Sequence, residues 1–150
     1  MKRIAKPDGS QSAPEVVKLA RRMTVLFRDR LEEQLRALEI TAAQLHLLAA
    51  LHHAPASSGA QIARWCQVTP QTTHALLGAA EKRGWIRRSP DPVNEHTVLA
   101  SLTPEGRRVY RRGKAIAQRL QRKMLSTLSP VEVDRLQETL TGLIARLESS

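Results

Sequence analysis

The sequence predicts a mainly α-helical fold with one small β-hairpin, and three observations support that prediction. Helix-forming Leu, Ala, Arg, Glu and Gln are abundant among the 150 residues, whereas strand-forming types are sparse. Apolar residues recur at three-and-four spacing over most of the chain, which is the period of an amphipathic helix. Residues 98–102 instead alternate as a strand does, although Leu99 breaks strict alternation. The length is that of one domain.

Composition argues against several classes of protein. A single cysteine leaves no internal disulfide framework and is typical of a reducing compartment, so we expect a cytoplasmic protein. No run of about 18 apolar residues occurs, so we expect no membrane partner. The sequence has no catalytic set, no metal-ligand cluster and no glycine-rich phosphate loop. We therefore expect no enzyme activity, no cofactor and no metal.

The first third of the chain predicts two amphipathic helices behind a polar tail. Residues 1–13 lack periodicity, which predicts a disordered basic tail. From Pro14 an apolar stripe runs to Leu38 and predicts the first helix. Thr41 is a capping residue for a second helix, which the Pro and Gly of residues 55–59 end.

A short helix, a tight connection and another helix come next. The short helix is predicted over residues 60–66. Thr69 and Pro70 have the N-cap and first-turn character that starts the following helix, and Gly84 fits the left-handed residue that ends it. This helix-turn-helix would place its second helix in the major groove of duplex DNA, which admits one α-helix.

A hairpin follows, in the position of a wing, and two further helices complete the chain. Residues 85–88 and 98–102 are predicted to pair as two antiparallel strands around a polar tip at residues 89–94. Residues 103–104 repeat the cap-then-proline signature and start a long helix. The capping box at residues 129–132 starts the last helix.

Positive charge is concentrated in the middle of the chain. The net charge is +10, and residues 55–123 hold 13 basic and 4 acidic side chains. Such a segment attracts polyanions over a Debye length of ~8 Å at physiological salt. Two Trp, one Tyr and one Phe are too few for extensive base stacking, which favours duplex DNA over single strands or RNA. A solvated basic face without a partner is the alternative.

Candidate DNA-contacting residues fall into two groups. The outward face of the second helix of the helix-turn-helix would read bases, and Gln71 offers the donor and acceptor that match an adenine edge. The base-contact candidates are Thr69, Gln71, Thr72 and His74. Basic side chains would contact phosphates and so supply affinity rather than sequence preference. The phosphate candidates are Arg64, Lys82, Arg83, Arg87 and Arg88.

The last helix carries a regular apolar seam. Its apolar residues are spaced 3, 4, 3 and 4 apart, as in a coiled coil. One chain has few other elements to cover long apolar stripes at both of its ends, so we expect burial between two chains. An intrachain core contact is the alternative. The predicted interface residues are Val16, Leu19, Leu120, Met124, Val133, Leu136, Leu140, Leu143 and Leu147.

The order and spacing of four segments resemble the MarR family of winged helix-turn-helix regulators. The segments are Leu-Ala-Ala-Leu at 48–51, Val-Thr-Pro-Gln-Thr-Thr-His at 68–74, Glu-Lys-Arg-Gly-Trp-Ile-Arg-Arg at 81–88 and Ser-Leu-Thr-Pro-Glu-Gly at 101–106. The resemblance covers nearly the whole chain, about residues 16–148. It implies a homodimer in which each subunit's winged domain binds one half of a near-palindromic DNA site.

This resemblance also implies a division into regions and a response to a ligand. Residues 14–40 and 104–150 would form a helical dimerisation region, and residues 41–103 the winged DNA-binding domain. A pocket for small aromatic or phenolic acids would lie where the two regions meet, with Met23, His46 and His52 as candidate lining residues. The chain would then be a repressor that such a ligand releases from DNA. An architectural DNA-binding protein without a defined operator is the alternative. A protein-interaction module whose wing binds an acidic partner is a third hypothesis.

One departure from the family pattern concerns the wing. Family wings commonly carry Asp-x-Arg just before the second strand, where this chain has Asn94 and His96 with Glu95 between them. A narrow minor groove attracts arginine through its negative potential. Asn94 and His96 are therefore predicted to be weaker wing contacts, which Glu95 opposes. We expect Arg87 and Arg88 to contribute more of the affinity.

Overall fold

A computed structural model describes residues 9–150 of the chain. Within that range the chain forms six α-helices, one 3-10 turn and a three-stranded sheet. The predicted mainly α-helical fold with a small β wing is confirmed. The helices are α1 (Gly9–Leu35), α2 (Ala42–His53), α3 (Gly59–Cys66), α4 (Pro70–Lys82), α5 (Pro104–Leu125) and α6 (Pro130–Glu148). The strands are β1 (Ser57–Ser58), β2 (Ile86–Pro90) and β3 (Val98–Leu102).

Contacts within the chain divide it into two compact units, Met1–Ile116 and Ala117–Ser150. The first unit contains the elements from α1 to β3 and the first half of α5. The second contains the rest of α5 and all of α6. The predicted dimerisation region and winged domain describe an assembly of two chains, and they stay predictions. None of the helices in residues 9–150 is long and apolar enough to cross a membrane.

Side-chain caps determine where several helices begin. Thr41, Ser58 and Ser129 each accept a hydrogen bond from the backbone N–H three residues further on. The glutamine or glutamate at that third position accepts one from the cap's own N–H, which completes a capping box. The predicted starts of α2 and α6 are thereby confirmed.

The core of the first unit forms where α2, α3 and α4 pack together and against the sheet. Its fully buried large side chains are Leu35, Leu47, Leu48, Leu51, Ile62 and Thr73. The first half of α5 approaches α2 closely, since a methyl group on Gly113 would lie 2.6 Å from Leu45 Cδ1. Leu45, Leu48 and Leu51 of α2 are buried in this core.

The sheet has three strands in the order β1–β3–β2, so the predicted two-stranded hairpin is incomplete. β1 pairs antiparallel with β3, with Ser57 opposite Ala100 and Ser58 opposite Leu99. A strand of two residues is too short to show an alternating pattern, and its serines resemble turn residues. Ser57 is buried, and its hydroxyl donates to the Ala54 carbonyl at 2.6 Å. β1 therefore anchors the wing to the end of α2.

The predicted wing tip, residues 89–94, is wrong at both ends. β2 continues to Pro90, which pairs with Val98, so the tip consists of residues 91–97. Proline is tolerated there because β2 lies at the edge of the sheet, where one side of the strand needs no ladder hydrogen bond.

The predicted disordered tail, residues 1–13, is wrong for its last five residues. α1 begins at Gly9, so Pro14, the predicted first residue, lies inside the helix instead of at its start. Residues 1–8 lie outside the described part of the chain.

The base of the wing is held against the start of α5. The Thr103 hydroxyl donates to the Gly84 carbonyl at 2.6 Å, and the Thr103 backbone N–H donates to the Trp85 carbonyl at 2.9 Å. Gly84 has φ 70°, the left-handed conformation that the sequence predicts. Gly106 passes so close to Trp85 that a methyl group on its α-carbon would overlap the Trp85 carbonyl oxygen. Glycine is therefore required at this contact.

We expect Gly106→Ala to lower the free energy of unfolding by about 2–4 kcal/mol, because α5 or the wing base must shift to admit the methyl group. Gly142→Ala in α6 is the matched control, since a methyl group there meets nothing within 4 Å. It should instead stabilise the chain by about 0.5–1 kcal/mol. Urea unfolding measures both changes. Equal stabilities of the two variants would contradict the close contact.

Candidate nucleic-acid interface

A tight connection orients α4 relative to α3. Gln67 ends α3 with a left-handed φ of 54°, and the Val68 N–H returns to the Ala63 carbonyl at 3.1 Å. Thr69 then caps α4, and its hydroxyl oxygen accepts from the Thr72 N–H at 3.1 Å. Pro70 occupies the first turn, where its missing N–H costs nothing. The predicted helix-turn-helix is thus formed by α3 and α4.

The two faces of α4 are separated as the sequence predicts. Thr73, Leu77 and Ala80 are buried against the rest of the unit. Gln71, Thr72, His74 and Ala75 are exposed at the N-terminal half of the helix. The side chains of Gln71 and His74 make no hydrogen bond with another described residue, so their polar atoms are available to a ligand.

The two threonines at this helix start make hydrogen bonds to each other. Besides capping α4, the Thr69 hydroxyl donates to Thr72 Oγ1 at 2.9 Å. Both side chains stay exposed, but part of their hydrogen-bonding capacity serves the cap. Gln71 and His74 are therefore the stronger candidates for base contact among the four predicted residues.

The phosphate candidates on α3 and at the end of α4 differ in whether their side chains contact other groups of the chain. Arg64 and Lys82 are exposed. The Arg83 guanidinium instead lies 4.4 Å from the centre of the Trp85 ring, and its Nη1 donates to the Glu39 carbonyl at 3.1 Å. Arg83 therefore ties the end of α4 to the segment before α2. The sequence gives no signal for this contact, because Glu39 is distant in the chain.

Arg87 and Arg88 lie on opposite faces of β2, as neighbours on a strand must. Arg87 is exposed. The Arg88 side chain is only 26% exposed, and its Nε lies 3.3 Å from Glu81 Oε2 of α4. The Nε atom is buried and makes no aligned hydrogen bond with a described residue. Of the pair, Arg87 is the one that is free to contact a phosphate.

The wing tip is organised by its own side chains. Asp91 Oδ1 accepts from the Val93 N–H at 2.9 Å, and Asn94 Oδ1 accepts from the His96 N–H at 3.2 Å. The Asp91 N–H donates to the Thr97 carbonyl at 2.8 Å, which closes the tip. Asn94 thus has a turn-forming role that the sequence analysis did not assign. His96 is exposed at the tip, in sequence next to the carboxylate of Glu95.

The predicted pocket residues have different neighbours. The ring of His46 lies 5.0 Å from that of Trp65 on α3, whereas the ring of His52 lies 4.6 Å from that of Tyr110 on α5. Partial burial lowers the pKa of His46, which favours the neutral form of its ring. Met23 is exposed on α1. Burial raises the pKa of the Cys66 thiol, which disfavours the reactive thiolate.

A cavity of about 300 Å³ lies between α4 and the sheet. Most of its wall is apolar, and the side chains of His74 and Arg88 are its ionisable groups. The lining residues are Gly59, Ala60, Pro70, Thr73, His74, Leu77, Arg88, Val98 and Ala100. Within the described chain, no group of three His, Cys, Asp or Glu side chains is arranged to hold a metal ion.

Comparison with known proteins shows which family and which structures this chain resembles. The family model of the MarR family matches residues 38–95, which include α2, the helix-turn-helix, β2 and the first part of the wing tip. An HTH-type transcriptional repressor of Mycobacterium tuberculosis is 27% identical over 108 residues, 72% of this chain and 78% of that protein. The multiple antibiotic resistance protein MarR of Escherichia coli is 28% identical over 134 residues, 87% of this chain and 93% of its own length.

Over residues 38–95 the chain resembles the MarR family.

Several solved structures share the fold of this chain. A cysteine-to-serine variant of Escherichia coli MarR in complex with operator DNA has a TM-score of 0.80, with 23% identity over 91% of this chain and 98% of that one. Bordetella bronchiseptica BpsR, whose DNA binding is regulated by 6-hydroxynicotinic acid, has a TM-score of 0.77 and 23% identity. That match covers 86% of this chain and 98% of BpsR.

The contrast between the neighbouring wing arginines can be tested by measuring the stability of variants. We expect Arg88→Ala to lower the free energy of unfolding by about 1 kcal/mol, since its half-buried stem packs beside α4. Arg87→Ala removes the same atoms from an exposed position and should stay within about 0.5 kcal/mol of the parent. Thermal unfolding of both variants measures the difference. A larger loss for Arg87→Ala would mean that the two roles are assigned the wrong way round.

Proposed function

We propose that this chain is a homodimeric, sequence-specific transcriptional repressor that binds duplex DNA and responds to a small ligand. The observation that carries the DNA-binding part is the exposed row at the start of α4. Gln71 and His74 stand there on a helix whose opposite face is buried and whose first turn is capped. A helix held in this way fits the major groove with its N-terminal residues on base edges.

Charge supports the same proposal. Arg64, Lys82 and Arg87 are exposed on the helix-turn-helix and the wing base, where they suit phosphate contact. The wing tip, in contrast, carries the carboxylates of Asp91 and Glu95. We therefore assign affinity to the helix-turn-helix and the wing base. Asn94 and His96 remain proposed as weak contacts at the tip.

Repression is the mode that the relatives favour. The Mycobacterium tuberculosis relative is a transcriptional repressor by name, and the MarR structure holds operator DNA. A repressor of this kind blocks transcription by occupying its operator, which requires a specific site. The test is a selection of genomic DNA fragments by the purified protein at about 150 mM salt, where non-specific binding is weak.

The selection has two informative outcomes. Recovery of a near-palindrome with half-sites about 10 base pairs apart supports a specific dimeric regulator. Recovery of unbiased fragments supports the architectural alternative, which the acidic wing tip favours. A specific regulator should bind its site at least ~10³-fold more tightly than random duplex.

We expect Gln71→Ala to relax sequence preference at one base pair of each half-site, with a loss of about 1–3 kcal/mol on the preferred sequence and little loss on random duplex. Arg87→Ala is the contrasting control. It should weaken binding to both duplexes alike and reduce the slope of log K against log salt by about 1. Fluorescence anisotropy with both duplexes measures these effects. Equal losses on both duplexes for Gln71→Ala would rule out base reading by that residue.

The dimeric part of the proposal is supported by uncovered apolar seams. Val16 and Leu19 on α1 are exposed in the single chain, as are Met124 on α5 and Leu136, Leu140, Leu143 and Leu147 on α6. Val133 and Leu120 are half-buried. Burying such area between two chains is favourable by roughly 25 cal/mol per Å².

We expect Leu140→Glu to convert the protein from a dimer to a monomer at micromolar concentration, because a carboxylate would lie in the proposed interface. Leu140 is 41% exposed in the single chain, so the fold of each chain should survive. Ala145→Glu adds the same charge on the side of α6 opposite the apolar seam and should leave the dimer intact. Sedimentation velocity distinguishes the two states. A dimer that persists in Leu140→Glu would place the interface elsewhere.

The ligand-responsive part is supported by BpsR, whose DNA binding is regulated by 6-hydroxynicotinic acid. We propose Met23, His46 and His52 as residues of the effector pocket. The exposed imidazole of His52 beside the Tyr110 ring is suited to an aromatic acid. Release of the selected DNA fragment by 4-hydroxybenzoate, lost in His52→Ala, would support this pocket. Release that is unchanged in His52→Ala would exclude His52 from it.

A further inference from the structure

The first half of α5 carries a strongly basic surface that the proposed function does not use. Residues 104–116 hold five basic side chains and one carboxylate. Arg108, Arg111 and Arg112 are all exposed, and their spacing of three and four residues puts them on one side of the helix. We call these three residues the α5 cationic face.

Contacts within the chain leave much of this charge free. Arg111 and Arg112 make no ion pair or hydrogen bond with another described residue, whereas Arg108 pairs with Glu105 at 2.7 Å between exposed side chains. The flanking cations are engaged: Arg107 Nη1 donates to the Leu102 carbonyl at 3.1 Å, and Lys114 Nζ lies 5.8 Å from the centre of the Tyr110 ring. The free charge is therefore concentrated on Arg111 and Arg112.

The opposite side of the helix is fixed by packing. Gly106, Tyr110 and Gly113 are buried, and Gly113 lies against the side chains of Leu45 and Ile40. The apolar side of α5 is thus unavailable to lipid, whereas a helix that binds a membrane surface inserts its apolar face. The cationic face also offers no exposed aromatic ring on which a single-stranded base would stack. Its chemistry fits the phosphate backbone of a duplex.

The start of α5, from which this face extends, lies away from the end of α4 that is proposed to read bases. Thr103, just before α5, is hydrogen-bonded to Gly84, just after the C-terminal end of α4. The 13 residues of α4 put its N-terminus about 18 Å from that point, at a rise of 1.5 Å per residue. The five residues of β3 likewise put the wing tip about 13 Å from the start of α5, at 3.3 Å per residue.

We propose that the α5 cationic face is a second duplex-binding surface, which holds the phosphate backbone of a DNA segment other than the one at α4 and does so without regard to sequence. The inference rests on the proposed function for its first duplex. It adds the ability of a single protein to join two DNA segments.

The test is capture of a second duplex. The DNA fragment recovered by the selection is immobilised and saturated with protein, and a labelled random 40-base-pair duplex is then added at 100 mM salt. We expect the parent protein to capture the labelled duplex. Arg111→Gln with Arg112→Gln should reduce that capture about tenfold, the effect of losing two phosphate contacts, while affinity for the immobilised fragment changes less than twofold. Lys18→Gln with Arg21→Gln on α1 removes the same charge and should retain both activities.

The outcomes separate this inference from the proposed function. Failure of the parent to bind the immobilised fragment would overturn the proposed function. The proposed joining of two duplexes would then also be overturned, because no first duplex would be bound. Binding of that fragment without capture of the labelled duplex would overturn the second surface alone. Capture that persists in the Arg111 and Arg112 variant would also overturn the second surface. It would mean that the two α4 helices of a dimer each hold one of the two duplexes. Displacement of the labelled duplex by vesicles containing 30% phosphatidylserine would identify the face as a membrane surface instead.

Discussion

The close approach of Gly106 to the Trp85 carbonyl is the constraint on which the geometry of the first unit depends. At this point the end of α4, the start of β2 and the first turn of α5 come within hydrogen-bond distance of one another. Only glycine permits that approach, because any side chain would meet backbone rather than a movable group. Arg83 adds a clamp on the other side of Trp85, through the indole ring and the Glu39 carbonyl. The position of the wing relative to α4 is therefore set by backbone contacts and by one stacked cation.

That rigidity explains how polar side chains are kept available at the N-terminal half of α4. The cap formed by Thr69 and the left-handed turn at Gln67 satisfy the backbone at the start of the helix, so Gln71 and His74 need not do so. On the buried side, the Thr73 hydroxyl donates to the Thr69 carbonyl at 3.1 Å, which lets a polar residue lie in the core without cost. A base-reading row requires this preorganisation, because side chains that must first be freed lose affinity.

Much of the fold could be predicted from the sequence, because the signals that mark it are local. Thr41, Thr69 and Ser129 act through atoms three residues away, and Gly84 acts through its own φ angle, so each can be recognised in a short window. β1 was missed because two residues give no period. The helical start of α1 was missed because proline is typical of a first helical turn, whereas Pro14 lies five residues after the first residue of α1.

The candidate site shows the same division between local and distant contacts. Which residues of α4 face outward follows from helical periodicity alone. The different roles of Arg87 and Arg88 do not, because Arg88 is set apart by Glu81, which lies on another element. Similarly, no pattern in the sequence links Arg83 to Glu39. Basic residues that look equivalent along the chain therefore divide, once folded, into those that hold the structure and those that are free to meet an anion.

That division alters how the charge of the chain should be interpreted. The net charge of +10 suggests one broad cationic surface. However, Arg83 and Arg88 contact other groups of the same chain, and the wing tip is acidic. Free positive charge remains on Arg64, Lys82 and Arg87 around the helix-turn-helix, and on Arg111 and Arg112 of α5. Electrostatic attraction falls off within about one Debye length, ~8 Å at physiological salt. Because α4 alone is about 18 Å long, charges near its N-terminus lie more than one Debye length from the start of α5.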